Sequence, residues 1–202
     1  MPEHRFAGLL LAGGQSRRMG GGDKALVKLG GETLLARIIA RVRPQVGPLV
    51  LNANGDPARF AGFGLPIAPD VIEGYAGPLA GVLTGLEWAR IQAPECDYVA
   101  SFACDAPFVP RDLVARLAAA MAQEKAEMAC ATSGGREHPV FALWPVRLAA
   151  ALRHAVVEEG VRKVDEWTGR YSLARADFPT DPVDPFFNVN APGDMAAAEA
   201  LL

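Results

Sequence analysis

Short, almost entirely apolar runs alternate along this chain with longer stretches in which apolar residues recur every three or four positions. The first apolar run, residues 6–11, ends at Gly13 and Gly14 and is typical of a strand buried on both faces. Residues 33–42 repeat leucine, isoleucine and valine at helical spacing, carry arginines on the opposite face and are followed by Pro44. This pattern predicts an amphipathic helix that ends before the proline.

The same two patterns continue along the rest of the chain. Further strands are predicted at residues 48–51, 65–68, 97–103, 128–131, 139–143 and 171–175. Further helices are predicted at residues 78–90, 111–123, 146–158, 161–168 and 192–202, with loops at residues 13–24 and 132–138. Strands that alternate with helices of about 10–15 residues indicate βαβ units. We therefore expect a single α/β domain over residues 1–202, with a doubly wound, mostly parallel sheet.

Composition narrows the class of partner. The chain has 202 residues, half of them hydrophobic, and its 20 basic and 23 acidic residues give a net charge of −3. Such a balance argues against nucleic acid or an anionic membrane as a partner. No run approaches the roughly 18 apolar residues of a membrane span, and no signal peptide is recognisable. Cys96, Cys104 and Cys130 form no paired motif, which favours buried thiols in a reducing, cytoplasmic setting.

The loop after the first strand carries the strongest chemical signal. Residues 13–24 contain five glycines, the pair Arg17 and Arg18, and Lys24. In open α/β sheets, ligands bind beyond the carboxyl ends of the strands. Glycines let backbone N–H groups approach an anion, and arginine and lysine supply charge to phosphate oxygens. This combination suits a triphosphate, and a surface loop with solvated arginines is the alternative.

Two familiar phosphate loops do not account for this segment. A Walker loop requires a Gly-Lys pair, which the chain lacks. A formal dinucleotide-binding match begins at Gly20, nine residues after the first strand, and no acidic residue follows it at the expected distance. The loop therefore indicates another class of nucleotide site.

Residues 9–26, LLLAGGQSRRMGGGDKAL, resemble the opening signature of the nucleotidyltransferase superfamily. They are most similar to the molybdenum cofactor guanylyltransferases, the MobA family. Further matching segments follow in the family's order: Asn52-Ala53-Asn54, Asp70 before Gly77-Pro78-Leu79-Ala80-Gly81, Cys104-Asp105-Ala106-Pro107-Phe108, Glu137-His138-Pro139 and Phe187-Asn188-Val189-Asn190-Ala191-Pro192. The resemblance implies a Rossmann-like nucleotidyltransferase fold and Mg²⁺-dependent transfer of GMP from GTP to molybdopterin, with release of pyrophosphate.

The resemblance also implies roles for individual residues. Nucleotide-binding positions would be Leu11, Ala12, Gly13, Gly14, Lys24, Asn52, Asp70, Gly81 and Asp105. Arg18, Lys24 and Asp105 would act in catalysis, the two cations by holding phosphates and stabilising charge on pyrophosphate. A carboxylate suits the N1–H and N2–H₂ edge of guanine, which makes Asp70 the candidate for reading the base.

Asp105 is the candidate metal ligand on independent grounds. It follows an apolar stretch and precedes Ala-Pro, so it is predicted at the carboxyl end of a strand. Magnesium favours one or two carboxylates together with substrate phosphates and water. Capping of a helix that starts near Pro110 is the alternative role. By resemblance Asn190 is the second, neutral metal ligand, and it could also cap the helix that begins at Pro192.

Molybdopterin is a phosphorylated pterin, so its site should offer hydrogen-bond donors and cations. The candidates are Arg136, His138, Arg162, Lys163, Asn188 and Asn190. A solvated helix face would explain Arg162 and Lys163 equally well, and His138 could be a structural histidine. No general base is needed, because the attacking phosphate is already ionised.

Alternative functions remain open at this point. Molybdopterin cytidylyltransferases tend to read L-A-A-G where this chain has Leu11-Ala12-Gly13-Gly14, and the extra methyl would crowd a purine. A sugar-phosphate or isoprenoid nucleotidyltransferase is another option, and a non-catalytic GTP-binding or cofactor-delivery protein is a third. Molybdenum-cofactor proteins and target molybdoenzymes are candidate partners. Gly74 and Ala76 replace an acid and a proline found in several family members, with Glu73 beside them.

Overall fold

The computed structural model of the protein describes residues 6–12, 23–74 and 77–202. The strands are β1 (Phe6–Leu11), β2 (Lys28–Leu29), β3 (Glu32–Thr33), β4 (Leu49–Asn52), β5 (Ile67–Ala68), β6 (Tyr98–Ala103), β7 (Met128–Ser133), β8 (Arg136–Pro145) and β9 (Leu173–Phe178). The α-helices are α1 (Leu34–Val42), α2 (Pro78–Gln92), α3 (Leu113–Glu124), α4 (Ala149–Val157), α5 (Val164–Thr168) and α6 (Pro192–Glu199). Short 3-10 helices cover Lys24–Leu26, Arg43–Gln45, Pro57–Phe63 and Val146–Leu148.

The main sheet of this part of the chain has seven strands in the order β5-β4-β1-β6-β8-β7-β9. Strand β1 is central and pairs in parallel with both β4 and β6. Strand β8 runs antiparallel between β6 and β7, and β7 pairs in parallel with β9. The expectation of a mostly parallel α/β sheet is confirmed.

Helices cover both faces of this sheet. Successive side chains of a strand point to opposite faces, so Leu10 of β1 packs with α1 and α3, whereas Leu9 packs with α2 and α4. On the first face, Ile38 of α1 and Leu117 of α3 are buried with Leu10. On the second, Leu83 of α2 is buried with Leu9. The sheet is therefore doubly wound, as the sequence predicts.

The side of the sheet on which new strands are added changes at β1. From β1 the chain proceeds to β4 and β5 on one side, and it then returns to β6 on the other side. Such a switch point opens a crevice at the carboxyl ends of the adjacent strands β1 and β6. Ligands bind in this crevice in this class of fold. The backbone N–H of Cys104 donates to the carbonyl of Leu11 at 3.3 Å and closes the base of this crevice.

Two glycines bring α2 directly against β1. A Cβ atom on Gly81 would lie 2.5 Å from both Asn52 Oδ1 and Leu11 Cδ2, and one on Gly85 would lie 2.5 Å from Leu9 Cδ2. Real Cβ atoms do not approach other heavy atoms so closely. The first turn of α2 can therefore lie at the crevice only because position 81 has no side chain.

The segment 132–138 differs from expectation. Instead of a loop it forms a hairpin, in which β7 continues to Ser133 and β8 begins at Arg136. Gly134 and Gly135 connect the strands with φ values of 54° and 76°, the left-handed conformation that two-residue hairpin turns favour. The loop prediction was wrong because paired glycines are also a hairpin signal.

Other differences concern the ends and number of the elements. The helix predicted at residues 161–168 is confined to α5, because Lys163 is extended and serves as its N-cap residue. The β2–β3 hairpin and the 3-10 helix at Pro57–Phe63 were not predicted. The three cysteines are buried, as expected. Within the described ranges, no helix combines the length and apolarity needed to cross a bilayer.

We expect Ser101→Ala to lower the free energy of unfolding by about 1–3 kcal/mol, because it removes the partner of a buried indole. Trp144 Nε1 donates to Ser101 Oγ at 2.7 Å, and Ser101 Oγ donates to the carbonyl of Val140. Urea denaturation measures the change. The matched control is Ser172→Ala, at an exposed serine whose hydroxyl accepts from Glu127 N–H at 2.9 Å. Water can replace that partner, so the expected change is about 0.5 kcal/mol. Equal losses in the two variants would contradict the role of the Ser101 hydroxyl.

Candidate functional site

Asp105 lies two residues beyond the end of β6, at the edge of the crevice. Its backbone carbonyl accepts from Val189 N–H at 2.8 Å, which ties it to the segment before α6. One carboxylate oxygen, Oδ2, lies 2.7 Å from the ammonium of Lys24. The other, Oδ1, is buried without a hydrogen-bond partner among the described residues. A buried carboxylate oxygen without a partner is costly, so this atom is suited to a cation or a donor supplied by a ligand.

Lys24 brings two distant parts of the chain together. It begins the 3-10 helix Lys24–Leu26, and its Nζ donates to Asn190 Oδ1 as well as to Asp105. The side chains of Lys24 and Asp105 are 17% and 25% exposed, so water partly screens the ion pair. The ammonium thus lies between a carboxylate oxygen and an amide oxygen.

These two oxygens fit a divalent ion. Carboxylate and amide oxygens are ligands of magnesium and other hard cations, and here both converge on one cationic atom. The described residues contain no group of three or more His, Cys, Asp or Glu side chains placed to hold a metal. An ion at Asp105 and Asn190 would therefore need phosphate oxygens and water to complete its coordination.

Neither metal candidate caps a helix with its side chain. The N-cap residue of α6 is Ala191, and the Asp194 carboxylate accepts from the backbone N–H groups of Asn190 and Ala191, both at 2.8 Å. Helix α3 begins at Leu113, and its N-cap residue is Asp112 rather than Asp105. The alternative capping roles of Asp105 and Asn190 were wrong, and both side chains are directed to Lys24.

A second cluster holds Asp70 in a fixed orientation. Asn52 is 2% exposed, and its Nδ2 donates to the carbonyl of Ala68 at 3.1 Å and to Asp70 Oδ1 at 2.9 Å. Asn54 Nδ2 donates to Asp70 Oδ2 at 2.8 Å, and Asn54 Oδ1 accepts from the Asp70 backbone N–H. Ala12 N–H donates to the Asn52 carbonyl at 3.0 Å, so this cluster adjoins the end of β1. Each carboxylate oxygen keeps further acceptor capacity.

Arg59 links the two clusters and was not identified from the sequence. Its guanidinium lies 2.7 Å from the carboxylate of Asp23, the residue before Lys24. It also donates to the backbone carbonyl of Asn54. The contact joins residues far apart in the chain, so no local pattern could have indicated it.

The pterin candidates lie on three different segments. Arg136 and His138 are on the β7–β8 hairpin, at the same sheet edge as the end of β6, because β8 is antiparallel to β6. Arg162 and Lys163 are exposed and precede α5, so the helix-face interpretation was wrong. The Arg162 carbonyl lies 3.9 Å from where a Gly77 Cβ would be, next to the start of α2. Asn188 is exposed two residues before Asn190.

Some positions named from the sequence lie outside the described residues. They are Gly13, Gly14, Arg18 and Ala76. Gly74 has a φ of 72°, a left-handed conformation that favours glycine.

Comparison with known proteins gives a consistent result. A family model described as a MobA-like NTP transferase domain matches residues 8–173. The chain is 57% identical over 194 residues to a molybdenum cofactor guanylyltransferase from Bradyrhizobium sp. strain ORS 278, covering 96% of this chain and 92% of that protein. This similarity extends over nearly all of both chains.

Solved structures share the fold. A molybdopterin-guanine dinucleotide biosynthesis protein A from Archaeoglobus fulgidus superposes with a TM-score of 0.73 at 20% identity, covering 96% of this chain and 97% of that one. A Mycobacterium tuberculosis H37Rv protein in complex with manganese superposes with a TM-score of 0.68 at 16% identity, covering 98% and 99%.

Proposed function

Since the chain belongs to the MobA-like NTP transferase family, we propose that it transfers GMP from GTP to molybdopterin and releases pyrophosphate. The product is molybdopterin guanine dinucleotide. The observation that carries the proposal is the convergence of Lys24, Asp105 and Asn190 at the switch point of the sheet. A lysine and two side-chain oxygens at this edge of the sheet would suit a triphosphate and its metal ion, which supports the proposal.

In this proposal the Asp70 carboxylate, held by Asn52 and Asn54, recognises the guanine base. Guanine presents N1–H and N2–H₂ as neighbouring donors, and a carboxylate accepts both. Asn52 and Asn54 each donate to one oxygen of Asp70 and so hold it before the nucleotide arrives. Backbone groups at Leu11 and Ala12, which adjoin Asn52, contact the base and ribose. The absence of a side chain at Gly81 leaves the Asn52 amide in place.

Magnesium is the proposed ion, held by Asp105 and Asn190. When bound, it neutralises charge on the triphosphate and on the departing pyrophosphate. The manganese complex of the structural relative supports a divalent ion. Lys24 binds phosphate oxygens through its ammonium, and Arg18, from the glycine-rich segment, serves the same purpose. The protein thereby holds the α-phosphorus in line with the incoming phosphate.

Molybdopterin is proposed to bind across the β7–β8 hairpin and the segments before α5 and α6. Arg136, His138, Arg162, Lys163, Asn188 and Asn190 are the side chains that would contact it. Its terminal phosphate attacks as an anion, so the chain needs to orient this group rather than deprotonate it. The buried thiols fit a reducing compartment, and the cytoplasm is the proposed location.

The test is a comparison of nucleotides with the purified protein and Mg²⁺. Calorimetry with GTP, CTP and ATP should show a clear preference for GTP, and added molybdopterin should release pyrophosphate from GTP. A preference for CTP would change the product to a cytosine dinucleotide and remove the role given to Asp70. Binding of none of the three would contradict the enzymatic proposal.

A further inference from the structure

A third polar cluster lies at the β7–β8 hairpin and joins Ser133, His138 and Asp184. Ser133 Oγ lies 2.7 Å from His138 Nε2, and it donates to Asp184 Oδ1 at 2.9 Å. Asp184 Oδ1 also accepts from the backbone N–H of Phe186 at 3.0 Å. Ser133 is only 2% exposed, so its hydroxyl depends on partners within the protein.

The direction in which Ser133 donates its one hydroxyl proton decides which ring nitrogen of His138 is protonated. A carboxylate only accepts, so the contact of Ser133 with Asp184 requires the hydroxyl to donate to Asp184. If Ser133 donated to His138 instead, the lone pairs of Ser133 Oγ and Asp184 Oδ1 would face each other at 2.9 Å. Ser133 Oγ must then accept from His138, which places a proton on Nε2.

The other ring nitrogen, Nδ1, is left as an acceptor. Burial lowers the pKa of His138, and the positive charge of Arg136 lowers this pKa further. The nearby Asp184 carboxylate raises it, but the net shift is downward. At neutral pH the ring is therefore uncharged, and Nδ1 carries a lone pair. Within the described ranges the one buried side-chain polar atom without a partner is Asp105 Oδ1, so Nδ1 is not sealed in the core.

One segment connects this histidine to the proposed reaction site. The ring of His138 packs on Phe186, with centroids 4.6 Å apart. Three residues later, Val189 N–H donates to the carbonyl of Asp105, and the next residue, Asn190, accepts from Lys24. His138 thus packs on the same stretch of chain that holds the candidate metal ligands.

We propose that Asp184 and Ser133 are positioning residues that hold His138 as its Nε2–H tautomer, so that Nδ1 accepts a hydrogen bond from an N–H group of the pterin ring. The inference rests on the proposed function for the identity of the ligand. It changes the expected role of His138 from a donor for the substrate phosphate to an acceptor for the ring.

The tautomer can be measured without any substrate. In protein labelled with ¹⁵N-histidine, His138 should show a protonated Nε2 and an unprotonated Nδ1 at neutral pH, with its signal assigned by loss in His138→Gln. Ser133→Ala should convert this signal to a mixture of tautomers, and Ser172→Ala should leave it unchanged. An unprotonated Nε2 in the unaltered protein would overturn the proposal, whatever the variants do.

Two substitutions separate the ring nitrogens in kinetic experiments. Glutamine retains an N–H near the position of Nε2 but has no acceptor at Nδ1, whereas asparagine retains an oxygen near Nδ1. His138→Gln should raise the KM for molybdopterin by about 3–10-fold, the loss of one hydrogen bond. The kcat and the Kd for GTP should stay unchanged, and His138→Asn should raise this KM less.

The outcomes distinguish the inference from the function on which it rests. A KM raised at least as much in His138→Asn as in His138→Gln would overturn the acceptor role while leaving the enzyme intact. Absence of turnover in the unaltered protein would overturn the proposed function and the pterin as the ligand. The tautomer experiment would still report on Ser133 and Asp184.

Discussion

Asp105→Asn should lower kcat by about 10³-fold while the protein remains folded. The substitution keeps the size of the side chain but removes the charge from a carboxylate whose buried Oδ1 has no partner among the described residues. Charge stabilisation by a metal ion contributes several kcal/mol to a transition state, and each 1.36 kcal/mol is a factor of ten in rate. Pyrophosphate release at increasing Mg²⁺ concentration measures the effect.

The control for this variant is Asp112→Asn. Asp112 is the N-cap residue of α3, yet its side chain makes no capping hydrogen bond, so activity should be nearly unchanged. Urea denaturation of both variants separates a loss of activity from a loss of the fold. Full activity of Asp105→Asn at ordinary Mg²⁺ concentration would exclude Asp105 as the metal ligand.

Lys24→Met should weaken GTP binding by about 10–100-fold, because a hydrogen bond to a charged group contributes about 1.5–3 kcal/mol. Guanosine, which has no phosphate, should bind nearly as before. The Kd values for both ligands, measured by calorimetry, give the comparison. Lys28→Met removes the same charge from an exposed position on β2 and should change neither. Equal weakening of GTP and guanosine in Lys24→Met would place this lysine away from the phosphates.

The central strands could be predicted from the sequence because burial on both faces leaves an uninterrupted apolar run. Polar residues directly after such runs, Asn52 and Asp105, are then placed at the edge where ligands bind. The same reasoning missed the hairpin at Gly134 and Gly135, because the flanking residues of β8 are polar and were assigned to a loop. Apolar periodicity cannot reveal a strand whose first residues are exposed.

The contacts that complete the site could not be predicted from local patterns. The sequence indicated Lys24 and Asn190 separately by resemblance, but not that one donates to the other. Ser133 and Asp184 gave no signal, since 51 residues separate them and neither belongs to a recognisable motif. Tertiary packing brings these side chains together.

The distances along the chain between these contacts also determine when the site can form. The Lys24 ammonium meets partners 81 and 166 residues away, and the second of these lies just before α6. Contacts between such distant residues form slowly, whereas helices form early. During synthesis, strands β1, β4 and β6 can pair long before Asn190 has left the ribosome. A nascent chain would therefore form its central sheet well before Lys24 could meet Asn190, so the proposed metal site is among the last parts of the structure to be completed.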